Sequence, residues 1–119
     1  MKASVHVRIR DIIRAASQIT TVPIEDIVGD GRFSHILAAR FAVYFVARHA
    51  FHRTSAEIGR AVNRDPSTVS SGVRVTKARL DEGSMDWGLI ERVEARAWRC
   101  AAQRTMRDLH AVAGMEARP

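Results

Sequence analysis

The sequence predicts an all-α fold of about six helices that contains a helix-turn-helix, and three observations lead to that class. Apolar residues recur at the three- and four-residue spacing of amphipathic helices through most of the 119 residues. No stretch shows the apolar–polar alternation of a half-buried strand. Between residues 54 and 66, helix start and stop signals follow one another closely, as expected where one short helix turns into the next.

The first three helices are predicted from periodicity and from the residues that interrupt it. Val5 to about Ile19 carries an apolar stripe with arginines beside it. Pro23 to Val28 forms a short second helix, which ends at Gly29-Asp30-Gly31. Phe33 to Phe51 is the longest apolar helix, and we expect it to be the scaffold of the core.

The helix-turn-helix itself is predicted from capping residues. Thr54 and Glu57 have the spacing of a capping box at the start of its first helix. Asn63 tolerates the left-handed conformation that turns the chain after that helix. Asp65 is an N-cap residue, and Pro66 fits the first position of a second helix that runs to about residue 80.

The second helix has two unlike faces, which indicates DNA binding. Val69, Val73, Thr76 and Leu80 form a stripe that can pack on the domain. The opposite side carries small polar and basic residues and no acid, which suits the major groove. The alternative is a capped surface helix with a solvated basic face. The residues predicted to contact DNA are Arg32, Arg64, Pro66, Ser67, Thr68, Ser71, Arg74 and Lys77.

The run from Ile58 to Val69, Ile-Gly-Arg-Ala-Val-Asn-Arg-Asp-Pro-Ser-Thr-Val, resembles the signature of the C-terminal DNA-binding domain of the bacterial replication initiator DnaA. The likeness extends upstream through residues 22–28 and covers roughly residues 8–80. The resemblance implies that Ser67 and Thr68 read thymine methyls and phosphates, and that Arg64 contacts a phosphate.

Four departures from that family pattern alter what the resemblance implies. Pro66 replaces a histidine, Val75 replaces a late basic residue, and the single Asn63 replaces a pair of glycines. The basic loop that sends arginine into the minor groove is reduced to residues 31–35, where Arg32 is the clearly basic member. We therefore expect the fold to be shared and the DNA sequence preference to differ. The segment Asp65–Ser70 also resembles helix-turn-helix segments of some transposases and repressors.

Composition favours a polyanionic partner in a reducing compartment. The formal charge is +6 and the sequence pI is about 10.9. Cys100 is the single cysteine, so no intramolecular disulfide forms, and a buried structural thiol is expected. The start of the chain lacks a signal-peptide core, and the apolar run Ala38–Phe51 is interrupted by Arg40, Arg48 and His49. We expect a cytoplasmic, nucleoid-associated protein with no membrane segment.

The sequence predicts no enzyme, no metal and no cofactor. His49 and His52 lie three residues apart, but no cysteine or carboxylate nearby completes a ligand set. Cys100 and His110 are expected to face different ways. A glycine-rich phosphate loop is missing from this sequence, so we expect none of an initiator's nucleotide-hydrolysing chemistry.

Two units are predicted: a DNA-binding domain at residues 1–82 and a packing or partner-binding extension at residues 83–119. The extension contains a helix from Leu89 to about Ala113 with two apolar stripes. One stripe can close the domain. The other has the 3.5-residue repeat of a coiled-coil seam, and folding back on the same core is the equally weighted alternative. The seam comprises Trp98, Ala102, Thr105, Leu109 and Val112.

Three functions are compatible with these patterns. The first is a sequence-preferring duplex DNA-binding regulator of transcription, and the resemblance adds phage-related regulators and activators of gene transfer agents. The second is a replication factor that acts at origin sites. The third is a protein-interaction module that has lost DNA binding. The seam adds a homodimer or a helical protein partner, such as transcription machinery, to the expected partners.

Overall fold

The computed structural model describes residues 5–116, with side chains up to residue 114. Over this range the chain forms six α-helices and no strand, so the predicted all-α class is confirmed. The helices are α1 (Ile9–Thr20), α2 (Ile24–Val28), α3 (Ser34–His49), α4 (Ser55–Val62), α5 (Pro66–Glu82) and α6 (Trp87–Glu116).

The third helix, α3, is the centre of the fold. It packs against all five of the other helices. Its second half, Ala42 to Ala47, is buried on every side. A helix that is apolar all round is stable only inside a core, so the predicted role of this segment as scaffold is confirmed.

Helix α1 begins four residues later than predicted. Arg8 is extended, with φ −95° and ψ 158°, and the Asp11 carboxylate accepts a hydrogen bond of 2.9 Å from its backbone N–H. That carboxylate caps the helix from inside its first turn, as a residue at the third helical position can. Val7, which the prediction put in the helix, is buried in the non-helical segment before it.

Arg40 fixes the end of α2 and the loop that follows. Its side chain is 4% exposed and donates to the carbonyls of Ile27 and Gly29 at 2.7 Å and of Asp26 at 2.9 Å. These carbonyls lie at the C-terminal end of a five-residue helix, where the regular helical partners run out, although the Asp26 carbonyl also accepts from the Gly29 N–H at 3.3 Å. Burial, followed by the charge of Arg64, lowers the pKa of Arg40.

The first half of α6 belongs to the core. It packs against α1 and α3 through Ile90, Val93, Ala97, Cys100 and Ala101, all of which are buried. The expectation of a buried structural thiol is confirmed, and burial raises the pKa of Cys100. The division of the chain at residue 82 stays a prediction. Among the described helices, none is both long and apolar enough to cross a membrane.

Candidate nucleic-acid interface

The two helices α4 and α5 are joined by the turn that the sequence predicts. Glu57 N–H donates to Thr54 Oγ1 at 3.1 Å, and Thr54 N–H donates to Glu57 Oε1 at 3.3 Å. Asn63 is left-handed at φ 57° and ψ 52°. Asp65 Oδ1 accepts from Ser67 N–H at 3.0 Å, and Pro66 is the first helical residue. The capping predictions are confirmed.

Hydrogen bonds to both capping carboxylates favour their charged forms. The pKa of Glu57 is lowered first by the Thr54 backbone N–H and then by the Thr54 hydroxyl. The pKa of Asp65 is lowered first by the Ser67 backbone N–H and then by the Ser67 hydroxyl. Both carboxylates therefore stay ionised, which also suits the positive end of a helix dipole.

Helix α5 sits close against α3 because residue 72 is glycine. A Cβ at Gly72 would lie 2.7 Å from Cδ2 and 3.0 Å from Cε2 of Tyr44. The buried face of α5 consists of Val69, Gly72, Thr76 and Leu80, and Val73 is half-buried. Three members of the predicted stripe are confirmed as buried, and the close approach at Gly72 was not predicted.

The predicted reading residues on the outward face of α5 are all exposed to solvent. They are Pro66, Ser67, Thr68, Ser71, Arg74 and Lys77. Some of their polar groups have intramolecular partners. The Ser67 hydroxyl donates to Asp65 Oδ1 at 3.0 Å, and Arg74 donates to the Ser71 hydroxyl at 3.2 Å. Lys77 pairs with Asp81 at 2.8 Å on the solvent side, where such a pair contributes little and exchanges readily.

Arg64 points back into the protein. Its guanidinium donates to the carbonyl of Gly29 and to the carbonyl of Asn63 at 3.1 Å, and it lies 3.6 Å from a carboxylate oxygen of Asp30. The side chain is only 18% exposed. Its role as a phosphate contact stays a prediction, and these intramolecular acceptors compete with it.

A groove of about 470 Å³ separates the N-terminal end of α5 from the loop before α3. Three arginines and one aspartate give it a positive balance, and the buried Tyr44 hydroxyl at its wall has no hydrogen-bond partner among the described residues. Burial raises the pKa of Tyr44, while the charges of Arg40 and Arg64 oppose that rise. The lining residues are Asp30, Arg32, Leu37, Arg40, Phe41, Tyr44, Arg64 and Thr68.

The groove therefore brings Arg32, Arg64 and Thr68 together, whereas Ser71, Arg74 and Lys77 lie further along α5. Phe33, beside Arg32, is 72% exposed. The sequence pattern predicts Phe33 inside the apolar scaffold helix, but α3 begins one residue later, at Ser34. The sequence signal that could have identified Phe33 as an exposed loop residue is its position directly after the loop arginine Arg32.

The predicted partner seam lies on α6, away from this groove. Leu109 and Val112 are each 52% exposed, and Ala102 and Thr105 are partly buried. The ring of Trp98 is 47% exposed and lies 5.3 Å from the ring of Phe51. The described residues contain no group of histidine, cysteine or carboxylate side chains close enough together to hold a metal ion.

Comparison with known proteins relates this geometry to a family. Residues 9–75 match a family model described as the bacterial dnaA protein helix-turn-helix. Over 84 residues the chain is 31% identical to chromosomal replication initiator protein DnaA 1 of Chlamydia muridarum. That alignment covers 69% of this chain and 18% of the initiator, so the chain spans less than a fifth of that relative's length. The resemblance recognised in the sequence is thereby confirmed.

Proposed function

The chain belongs to the bacterial DnaA helix-turn-helix family, and we propose that it binds duplex DNA with a sequence preference by laying α5 in the major groove. The observation that carries this proposal is the outward face of α5. It is exposed, its N-terminal end is capped by Asp65, and it holds no acid from Pro66 to Leu80. A helix with this face can approach phosphates and base edges without repulsion.

The contacts divide between bases and backbone. Thr68 presents a methyl and a hydroxyl, which suit thymine and phosphate oxygens, and Arg74 has the guanidinium fork that binds guanine. We place Arg32, which lines the groove beside the start of α5, and the neighbouring exposed Phe33 against the phosphodiester backbone and the adjoining minor groove of the bound duplex. Pro66 has no side-chain donor or N–H, so the preferred sequence differs from that of a relative with histidine at this position.

Transcriptional regulation in the cytoplasm, on the nucleoid, is the biological role that we propose. A replication factor acting at origin sites is the second candidate, because the relative in the comparison is named as a replication initiator. Genome-wide mapping of bound DNA separates the two. Enrichment next to promoters supports regulation, and enrichment confined to the origin supports the second role.

The seam on α6 is proposed as the surface for a protein partner. Its exposed members, Trp98, Leu109 and Val112, leave apolar area in contact with solvent that a second helix can cover. Ala102 and Thr105 make the seam shallow, which favours a helical hetero-partner over a stable homodimer. A module that binds protein and no DNA is the remaining alternative, and the intramolecular contacts of Arg64 favour it.

Selection from a randomised duplex library tests the central proposal. The expected result is one preferred site, with affinity that falls linearly as salt rises, by roughly 0.9 in log affinity per unit log salt for each phosphate that the protein neutralises. The double variant Thr68→Ala with Arg74→Ala should lose the preference. Weak binding that is indifferent to both sequence and salt would leave the protein-interaction alternative.

A further inference from the structure

We propose that a strip of arginines along α1 and α6 is a second surface for the phosphodiester backbone of nucleic acid, separate from the face of α5. The strip consists of Arg10, Arg14, Arg92, Arg96, Arg99 and Arg107. The proposal extends the proposed function, but it does not require α5 to read a sequence.

Helical spacing aligns these arginines on one face. At 100° per residue, the four on α6 fall within about 80° of one another, and the two on α1 are one turn apart. The two helices run antiparallel. Asp11 of α1 pairs with Arg104 of α6, while Gln18, two turns on, accepts from Arg96 at 3.1 Å. The two rows of arginines therefore lie side by side.

Three shallow hollows connect the rows into one surface. The first brings Arg92, Arg96 and Arg99 beside the end of α1. The second joins Arg99 to Arg107, and the third joins Arg107 to Arg10 and Arg14. From Arg92 to Arg107 the strip extends about 22 Å along α6, at roughly 1.5 Å per residue.

The charge of the strip is not neutralised within the protein. Across the described residues, none of the six arginines has a carboxylate within 4.0 Å. Asp11 and Asp108 line the third hollow, but both face Arg104, at 3.0 and 4.0 Å. Arg96 has the neutral Gln18 as its partner, and the other five side chains are exposed.

The strip is centred on a different face from both surfaces already described, although Ala102 of the seam lines its second hollow. Helix α5 packs mainly on α3 and α4, whereas α6 packs mainly on α1 and α3, so the two surfaces belong to helices with different principal neighbours. The seam residues of α6 lie at least about 100° around the helix from the middle of the strip. A duplex held by α5 therefore leaves the strip available for another segment of DNA.

Phosphodiester is the ligand that matches this surface. Guanidinium groups bind phosphate oxygens in bidentate geometry, and a row of them follows a regularly spaced polyanion. An anionic bilayer is the other polyanion that can engage these arginines, because the same helix exposes Trp98, Leu109 and Val112, and vesicle binding is therefore one outcome of the test. The exposed apolar side chain at the strip itself is Met106, which lines the second hollow.

A two-duplex capture assay tests the proposal. One biotinylated duplex is immobilised, and the amount of a second, fluorescent duplex that the bound protein retains is measured. The strip variant is Arg99→Gln with Arg107→Gln. The matched control, Arg48→Gln with Arg60→Gln, removes the same charge from exposed positions on α3 and α4. A longer duplex with dyes at its two ends reports whether the strip instead takes flanking DNA of the same molecule.

Wild type and control should capture the second duplex or shorten the end-to-end distance, and the strip variant should do neither. The strip variant should keep the wild-type site preference, with a salt slope smaller by roughly 0.9 for each phosphate that it no longer neutralises. An unchanged slope together with unchanged capture and bending would overturn the proposal. A strip variant that loses binding to phosphatidylserine vesicles and keeps all of its DNA binding would also overturn the proposal. A wild type without sequence preference whose capture still depends on the strip would refute only the proposed role of α5.

Discussion

Asp11 and Arg104, 93 positions apart in the chain, form an ion pair with 3.0 Å between Oδ2 and Nη2, and their side chains are only 5% and 12% exposed. Arg104 also donates to the His6 carbonyl at 2.8 Å, and Asp11 also caps α1. The pair therefore joins the beginning of the fold to the point where α6 leaves the core. Burial opposes ionisation of Asp11, but the hydrogen bonds from Arg104 and Arg8 together hold its pKa below the ordinary value.

Replacing Asp11 by asparagine should lower the free energy of unfolding near neutral pH, because it removes the charge that pairs with Arg104 and weakens the cap on the Arg8 N–H. The folded pKa of Asp11 is depressed. Its contribution is therefore present above the unfolded pKa of about 3.9 and is lost as pH falls through the folded value. Urea unfolding from pH 7 to pH 3 should show less acid-dependent loss for the variant than for wild type. Asp108→Asn is the control, since that carboxylate is 71% exposed; an equal effect there would contradict the assignment.

The close approach at Gly72 predicts that replacing this glycine by alanine changes the stability in the opposite direction from the usual one. Glycine to alanine ordinarily stabilises the interior of a helix by roughly 0.5–1 kcal/mol. Gly72→Ala should instead destabilise by about 1–3 kcal/mol, because its Cβ would overlap the Tyr44 ring. Gly114, in α6, has no atom within 4 Å of an added Cβ, so Gly114→Ala should be neutral or slightly stabilising. Thermal unfolding of both variants decides, and a stabilised Gly72→Ala would contradict the packing described.

Removal of the Tyr44 hydroxyl should stabilise the protein. The hydroxyl is buried without a hydrogen-bond partner among the described residues, and such a group costs free energy. Tyr44→Phe removes the hydroxyl and keeps the ring, so the variant should be more stable by about 1 kcal/mol. Denaturant titration measures this. A clear loss of stability would mean that the hydroxyl has a partner, such as a bound water.

Alanine variants of Arg74 and Arg64 should distinguish a residue that reads a base from one that contacts the DNA backbone. Arg74→Ala should relax the preference at one base pair by about 1–3 kcal/mol and leave the fold unchanged. Arg64→Ala should weaken binding to all sequences alike and should also lower thermal stability, because it removes the contacts to Gly29 and Asp30. Competition between randomised duplexes, together with a melting curve for each variant, tests both statements. If Arg74→Ala left the preferred site intact, the assignment of the reading face would be wrong.

Leu109→Glu tests the seam on α6. Since Leu109 is 52% exposed, the variant should unfold at the wild-type temperature and should lose any association through the seam. Sedimentation of wild type and variant, with and without DNA, measures this association. If wild type and variant are both monomeric and the variant is less stable, the stripe is part of the core.

Local chemistry explains which parts of the site were predictable. Thr54, Asn63, Asp65 and Pro66 act on residues within four positions of themselves, so their roles can be inferred from spacing alone. The contacts of Arg40 with the end of α2 span 11 to 14 positions, and the bond from Arg64 to Gly29 spans 35. An arginine in a helical pattern gives no indication of which distant carbonyl it meets.

The predicted start of α1 is wrong for a related reason. Val5 and Ile9 fit a helical period, but Val5 also alternates with Val7, as in an extended segment. Asp11 is the residue that decides between the two, because its carboxylate caps Arg8. An acidic residue three positions after a candidate N-cap is a signal that apolar periodicity does not contain.

The carbonyl of Gly29 accepts hydrogen bonds from both Arg40 and Arg64, so one oxygen atom couples the scaffold helix, the loop before it and the turn that precedes the recognition helix. These two bonds restrict movement of the loop relative to α5, so we expect the two elements to keep one spacing on a duplex. One added base pair shifts the following bases by about 3.4 Å along the axis and by roughly a tenth of a turn around it. A target site that engages both elements is therefore a single uninterrupted block of sequence, in which inserting one base pair should be more damaging than substituting one.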